Sequence, residues 1–197
     1  MSVAILMSIR PEWIEKIASR EKTVEVRKTA PAHLYKPITV YMYQTLPDEG
    51  YVSESVGHIV GEFTCDGICE IDKDSIGYFF RWPGRIQYAG EPGGKYRDCL
   101  TPQQRWDYLG IKRGYGWHIK DVRMYETPVP LGTLYRYASG EKDIRPCQNG
   151  KPCEHLIYDY SEDCEACAID FDGENCPFLR VQRPPLSWMY VEEVVIE

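Results

Sequence analysis

The sequence predicts a mostly β fold of the α+β type, a small and mostly antiparallel β-barrel with peripheral helices. Short runs rich in β-branched and aromatic residues outnumber the helical patterns along the chain. Few helical patterns lie between adjacent β-rich runs, so a doubly wound parallel sheet is not expected. The chain of 197 residues is 43% hydrophobic, which is typical of a globular protein with its own core.

The first elements are predicted at the start of the chain. Residues 3–9 (VAILMSI) form an apolar run typical of a buried strand. Pro11 follows at the first position of a predicted helix, where the missing N–H costs nothing, and apolar residues recur at helical spacing as far as residue 20. Residues 23–28 (TVEVRK) then alternate, which predicts a half-buried strand with one polar face.

The remainder predicts further strands and one well-marked helix. Four β-rich runs predict strands, at residues 38–44, 58–71, 117–125 and 188–196. The second of these runs is expected to bend near Gly67. We expect a short helix at 72–78 and a loop at 84–94. Thr101 followed by proline predicts a capped helix that runs to residue 109.

Charge is distributed unevenly. The net charge is -7, and the chain from Cys147 onward has 3 basic and 11 acidic residues, against 20 basic and 19 acidic before it. A phosphate-binding face on the near-neutral body is therefore compatible with the acidic total. No apolar run is long enough for a membrane helix, and the apolar start meets Arg10 and Pro11 too early for a secretory signal. The sequence thus predicts a cytoplasmic protein without a membrane partner.

Five of the eight cysteines fall within thirty residues near the C-terminus: Cys147, Cys153, Cys164, Cys167 and Cys176. The Cys-x2-Cys spacing at Cys164 lets two thiolates reach one ion. We expect Cys153, Cys164, Cys167 and Cys176 to hold a structural Zn²⁺, with Cys147 and His155 as alternative ligands. An iron–sulfur cluster or free thiols are the alternatives. Cys65, Cys69 and Cys99 are predicted to be ordinary thiols.

The sharpest functional pattern is Lys22, Thr23, Glu25 and Arg27. The last three share one face of the predicted strand, and Lys22 lies at the preceding turn. A lysine and an arginine can bind a phosphate. The carboxylate between them can accept hydrogen bonds from a base or transfer a proton. The alternative is an ordinary exposed ion pair worth ~0–1 kcal/mol, in which case the strand would have no functional role. For a functional site, Lys22→Ala or Arg27→Ala is expected to abolish ligand binding and to leave the melting temperature nearly unchanged, whereas unfolding of both variants would indicate a structural role.

Further candidates are polar and aromatic residues near the same elements. Arg10 follows the first strand, and Tyr43 offers a ring on which a base can stack. Tyr41 is predicted to be a core or rim residue. Cations also alternate with aromatic rings between residues 81 and 106, which suits either single-stranded nucleic acid or internal packing. The remaining candidates for the same cleft are Thr45, Tyr115, Trp117 and His118. A lone histidine is usually a structural residue, so His118 is not expected to be catalytic.

Residues 5–27 (ILMSIRPEWIEKIASREKTVEVR) resemble the ASCH domain, a branch of the PUA-like superfamily. Further similar segments are VYMYQT at 40–45, HIVGEF at 58–63, GYGWHI at 114–119 and RPPLSWMY at 183–190. Arg20 stands where a glycine is usual. The resemblance implies a PUA-like barrel formed by residues 1–132 and 186–197, interrupted by a Cys-rich insertion at 133–185.

The resemblance also implies a function. ASCH-like proteins bind RNA or nucleobase-like ligands, and some are ribonucleases or amidohydrolases that act on acylated cytidine. The catalytic lysine of those amidohydrolases corresponds to Lys22, whereas their catalytic threonine corresponds to Glu25, so hydrolysis through a threonine is not expected.

Three functions are therefore expected in order. The first is binding of RNA or a modified nucleobase. The second is an enzyme on the same cleft that uses Lys22 and Glu25. The third is a protein-interaction module that uses the acidic insertion.

Overall fold

The computed structural model describes residues 3–31, 37–47, 53–134, 181 and 183–196. Its elements in chain order are β1 (Val3–Ile9), α1 (Pro11–Ala18), β2 (Val24–Arg27), β3 (Ile38–Gln44), β4 (His58–Cys65), β5 (Ile68–Lys73), β6 (Tyr78–Trp82), β7 (Arg85–Tyr88), α2 (Pro102–Leu109), β8 (Gly114–His118), β9 (Lys120–Pro130), a 3-10 turn (Leu131–Thr133) and β10 (Trp188–Glu192). The predicted mostly β fold with peripheral helices is confirmed. Neither described helix is long and apolar enough to cross a membrane.

The strands form two five-stranded sheets. The first sheet has the order β10-β1-β3-β4-β9, and the second sheet has the order β2-β8-β5-β6-β7. β1 pairs with β3 in parallel, and the other described pairs are antiparallel. Within the described residues neither sheet closes on itself, so the predicted barrel is not seen. Along the chain, the strands change from one sheet to the other after β1, β2, β4 and β8.

The largest core lies on one face of the first sheet. Ile5, Met7 and Ile9 of β1 pack there with Ile14 and Ile17 of α1. These α1 residues are spaced as the sequence predicted, because one helical turn returns a side chain to the same face. Complete burial of each such side chain contributes about 1.5–3 kcal/mol. The core thereby fixes α1, and the turn that follows it, against β1.

Arg20 adopts a left-handed backbone conformation, with a φ of 63°. This is the position at which the resembling family usually has glycine, which adopts such a φ without strain. A non-glycine residue there costs about 1–2 kcal/mol. The Arg20 guanidinium donates to the Val122 oxygen at 2.8 Å, a contact that glycine would lack. The turn between α1 and β2 therefore forms despite the arginine.

Several predicted elements in the middle of the chain are wrong. Residues 72–78 form the β5–β6 hairpin rather than a helix, because the Asp74 carboxylate accepts bonds from the N–H groups of Ile76 and Gly77 and closes a turn. The loop predicted at 84–94 contains β7. The run 58–71, in contrast, is interrupted at residues 66–67 between β4 and β5, which confirms the bend expected near Gly67.

The capped helix is confirmed as α2. The Thr101 hydroxyl accepts from the Gln104 N–H at 3.2 Å, and the Gln104 side chain accepts from the Thr101 N–H at 2.8 Å. This reciprocal pair satisfies two N–H groups that have no partner inside the helix. The cap thus fixes the start of α2, a helix that packs beside the site described below.

Candidate functional site

The structure brings Lys22, Glu25 and Arg27 into one ion cluster. Nζ of Lys22 lies 3.4 Å from one carboxylate oxygen of Glu25, and a terminal nitrogen of Arg27 lies 3.0 Å from the other. The three residues are only 2%, 6% and 7% exposed. The carboxylate therefore lies between two cations, and this triad is the centre of the candidate site.

The triad is buried because both faces of β2 are covered. Val24 and Val26 pack into a core with α2, and the alternating pair Glu25 and Arg27 points to the opposite side. The expectation of a half-buried strand with a free polar face is therefore wrong. Tertiary packing also buries the polar face of β2, which the alternating pattern does not indicate.

The ammonium group of Lys22 contacts groups from three parts of the chain. Its shortest contact is to the main-chain oxygen of Asp98, at 2.5 Å. It also lies 5.0 Å from the centre of the Trp13 ring on α1, within the range of a cation–π interaction. Lys22 is held at this place by its own N–H, which donates to the Lys16 oxygen at 2.9 Å.

The guanidinium of Arg27 contacts the end of β1 and a tyrosine of α2. It donates to the main-chain oxygen of Ser8 at 2.7 Å. Burial raises the pKa of the nearby Tyr108 hydroxyl, while the positive charge of Arg27 acts in the opposite direction. Tyr108 therefore stays a neutral hydroxyl beside the triad.

Three buried polar atoms at this place have no hydrogen-bond partner in the part of the chain that the structure describes. They are Nε of Arg27, Nε1 of Trp117 and the Glu25 oxygen that faces Lys22, whose 3.4 Å contact with the ammonium is an ion pair without hydrogen-bond geometry. Trp117 lies directly opposite Glu25 on β8, so the three atoms belong to one region. An unpartnered buried donor or acceptor costs about 1–3 kcal/mol, which is a reason to expect a ligand here.

Of the other candidates, Tyr115 also lies next to the triad. It is the cross-strand neighbour of Arg27 and packs against the core of the first sheet. The Thr23 hydroxyl is occupied elsewhere: it donates to the Lys95 oxygen and accepts from the Arg97 N–H, both at 2.9 Å. The Thr23 hydroxyl thus connects the start of β2 to the segment around Lys95 and Arg97.

Arg10, Tyr43 and Thr45 lie around the first sheet. The Arg10 side chain is half exposed at the start of α1, 4.0 Å from Glu12. The Thr45 N–H donates to the Ile9 oxygen at 3.0 Å. Tyr43 packs with Tyr41 in the core on the other face of the first sheet, so the sheet separates it from the triad. Tyr41 is a core residue, as predicted.

His118 lies on the other face of the second sheet, in a separate cluster. Its Nδ1 is 2.6 Å from an Asp66 oxygen, and its ring contacts the stacked rings of Trp82 and Tyr96. Its side chain therefore does not belong to the triad.

The cations that alternate with aromatic rings are mostly paired within the protein. Arg81 pairs with Asp72, Arg105 with Asp98, and Arg97 donates to main-chain oxygens near Glu21. The structure supports internal packing for these residues over a free nucleic-acid surface.

The sequence did not indicate four partners of the triad: Ser8, Trp13, Asp98 and Tyr108. Ser8 and Asp98 contribute main-chain oxygens, which any residue supplies. Asp98 is also 76 positions away from Lys22. Only Trp13 offers a signal, as one of the apolar residues that recur at helical spacing in the N-terminal motif.

The predicted zinc ligands Cys153, Cys164, Cys167 and Cys176, with the alternates Cys147 and His155, lie outside the described residues, as do residues 135–180 of the acidic insertion. Within the described ranges no group of three or more potential ligands lies close enough to hold a metal ion. Of the predicted ordinary thiols, Cys65 and Cys69 are buried and Cys99 is partly buried.

Comparison with known proteins gives matches among solved structures. The ASCH protein from Zymomonas mobilis matches at 22% identity, with a TM-score of 0.46 over 65% of this chain and 73% of that chain. Two mutants of that protein match at the same identity and TM-score. No family model matches the sequence, and no curated protein matches it. A likeness of this degree assigns no activity to the chain.

Proposed function

We propose that this chain is an ASCH-type domain of the PUA-like superfamily that binds a nucleobase, either one base of single-stranded RNA or a free modified nucleoside. The ligand binds at the triad of Lys22, Glu25 and Arg27. The observation that carries this proposal is the group of buried polar atoms without hydrogen-bond partners at the triad. The sequence resemblance of residues 5–27 agrees with it.

The chemistry of these atoms suits the edge of a base. Glu25 offers a carboxylate oxygen as acceptor, and Arg27 and Trp117 offer N–H donors. Nucleobases carry donors and acceptors side by side on their edges, and unpaired bases present those edges to proteins. The half-buried Trp13 ring lies next to Lys22, and stacking of a base on such a ring is worth about 1–3 kcal/mol. The low exposure of the triad favours one inserted base over a continuous strand.

Binding should depend strongly on Lys22. We expect Lys22→Met to weaken binding of a labelled single-stranded RNA of mixed sequence, or of an N4-acylated cytidine, at least about 30-fold, because a buried charge that contacts the ligand is lost. Fluorescence anisotropy measures binding of the RNA, and calorimetry measures binding of the nucleoside. They show whether the ligand is a base within RNA or a free nucleoside.

The matched control is Lys120→Met, the same change at an exposed lysine of β9. It should alter binding by no more than about twofold, since one exposed charge contributes little. Equal loss in both variants would indicate general charge attraction and would contradict a site at the triad. Circular dichroism of Lys22→Met verifies that the fold is kept.

Catalysis at the same site is the second candidate function. Nζ of Lys22 and an oxygen of Glu25 are 3.4 Å apart, a pairing suited to proton transfer with a bound ligand. The same samples distinguish the two functions. Release of the acyl group or shortening of the RNA, lost in Lys22→Met, would identify an enzyme, and unchanged ligand would identify a binding protein.

We further propose a structural zinc site formed by Cys153, Cys164, Cys167 and Cys176, supported by the cysteine spacing alone. Protein purified without a chelator should contain about one zinc per chain by elemental analysis. Cys164→Ser should lower this content, whereas Cys99→Ser should not. Absence of metal in the unaltered protein would contradict the site, and iron in place of zinc would indicate a cluster.

A further inference from the structure

A buried ion pair beside the triad holds the atom that Lys22 contacts most closely. That atom is the main-chain oxygen of Asp98, in the segment between β7 and α2. The Asp98 carboxylate accepts two bonds from Arg105 of α2, one from Nε at 2.6 Å and one from a terminal nitrogen at 2.8 Å. Both side chains are almost fully buried. Two parallel bonds of this kind fix the orientation of the carboxylate relative to the guanidinium.

The backbone after Asp98 turns sharply. Cys99 has a φ of 61°, a left-handed conformation that is uncommon for a residue with a side chain. The Leu100 N–H donates to the Asp98 carboxylate at 3.1 Å, within the same turn. Since α2 begins three residues after Cys99, the Arg105 contact ties the Asp98 peptide directly to the helix.

The backbone before Asp98 is held independently. The Arg97 oxygen accepts from the N–H groups of Thr23 and Val24, at 2.8 and 3.0 Å. These bonds attach the segment to the start of β2 without using the Asp98 side chain. Loss of the ion pair should therefore free the Asp98 peptide to rotate, while the segment as a whole stays in place.

We infer that Asp98 and Arg105 are positioning residues, which orient the Asp98 oxygen so that it holds the Lys22 ammonium beside Glu25. A lysine ammonium is a compact group on a flexible four-carbon chain, so its position depends on a fixed acceptor. The consequence for ligand binding rests on the proposed function. The position of the ammonium group does not depend on that proposal and is measured separately.

The test combines Asp98→Asn with Arg105→Gln, which removes both charges together and leaves no unpaired buried ion. In the double variant, we expect the Nζ–H signal of Lys22 to shift or broaden in a ¹H–¹⁵N spectrum. The signal is assigned by its absence from the spectrum of Lys22→Arg. Binding of the single-stranded RNA should weaken roughly tenfold. Arg105→Lys, which keeps the charge and loses the second bond, should have a smaller effect, and it serves as the test if the double variant does not fold.

The control is Leu109→Ala, a buried change on the same helix that leaves the ion pair intact. It loosens the packing of α2 and should leave the Lys22 signal in place. An unchanged signal in the folded double variant, or an equal change in Leu109→Ala, would overturn the inference. A shifted signal together with an unaltered protein that binds neither RNA nor nucleoside would support the positioning role and reject the proposed function.

Discussion

Replacement of Glu25 by alanine should lower the free energy of unfolding by about 3–5 kcal/mol, because two buried cations would lose their shared counter-ion. Lys22 would keep the Asp98 oxygen and Arg27 the Ser8 oxygen, but neither contact neutralises a charge. For a chain of this length the melting temperature should fall by roughly 10 °C. Urea unfolding and thermal melts measure both quantities.

Two comparisons make this result specific. Glu126→Ala, at an exposed position on β9, should change stability by no more than about 0.5 kcal/mol. The combination Lys22→Met, Glu25→Leu and Arg27→Met should recover most of the lost stability, since an apolar replacement of a whole buried ion cluster is often neutral or favourable. A stable triple variant that no longer binds the nucleobase probe would assign the triad to function. If Glu25→Ala melts like the unaltered protein, the carboxylate is not an essential counter-ion.

Alkaline pH should destabilise the protein through Cys69. Burial raises the pKa of this thiol from 9.0 to about 12, and the residue is only 2% exposed. Below the pKa of the thiol in the unfolded chain, the thiol is protonated in both the folded and the unfolded protein, so its contribution to the free energy of unfolding is fully present. As the pH rises, the unfolded chain ionises first, and the contribution is lost progressively until the folded pKa is passed. From about pH 8 to about pH 11 the loss should be about 3 kcal/mol from this group.

The variant Cys69→Ala isolates this contribution. It should start less stable near neutral pH, because a small cavity forms in the core that contains α2, and it should lose less stability between about pH 8 and about pH 11. Burial also raises the pKa of Tyr41 to about 12, so part of the alkaline loss should remain in the variant. Urea unfolding at several pH values, with a reducing agent present, measures the slope of the free energy of unfolding against pH for each protein. Equal slopes in the two proteins would show that Cys69 does not ionise on unfolding in this range.

Local patterns predicted those elements whose signals lie within a few residues. The apolar run of β1, the proline at the start of α1 and the Thr101 cap of α2 each satisfy backbone or burial requirements on their own. The region after β5 was predicted as a helix because no local signal showed that the Asp74 carboxylate would close a hairpin. Closure of a barrel also depends on pairing between distant strands, which periodicity does not report.

By itself the sequence determined that Lys22, Glu25 and Arg27 lie close together, since a turn and one short strand fix their spacing. Only the tertiary structure decided that the three groups are buried, that Tyr43 and His118 face away from them, and that Asp98 holds the lysine. The physical reason is that a strand's alternation defines two faces without stating what covers each face. That cover comes here from α1, α2 and the segment before α2, which reach the triad through contacts between residues far apart in the chain.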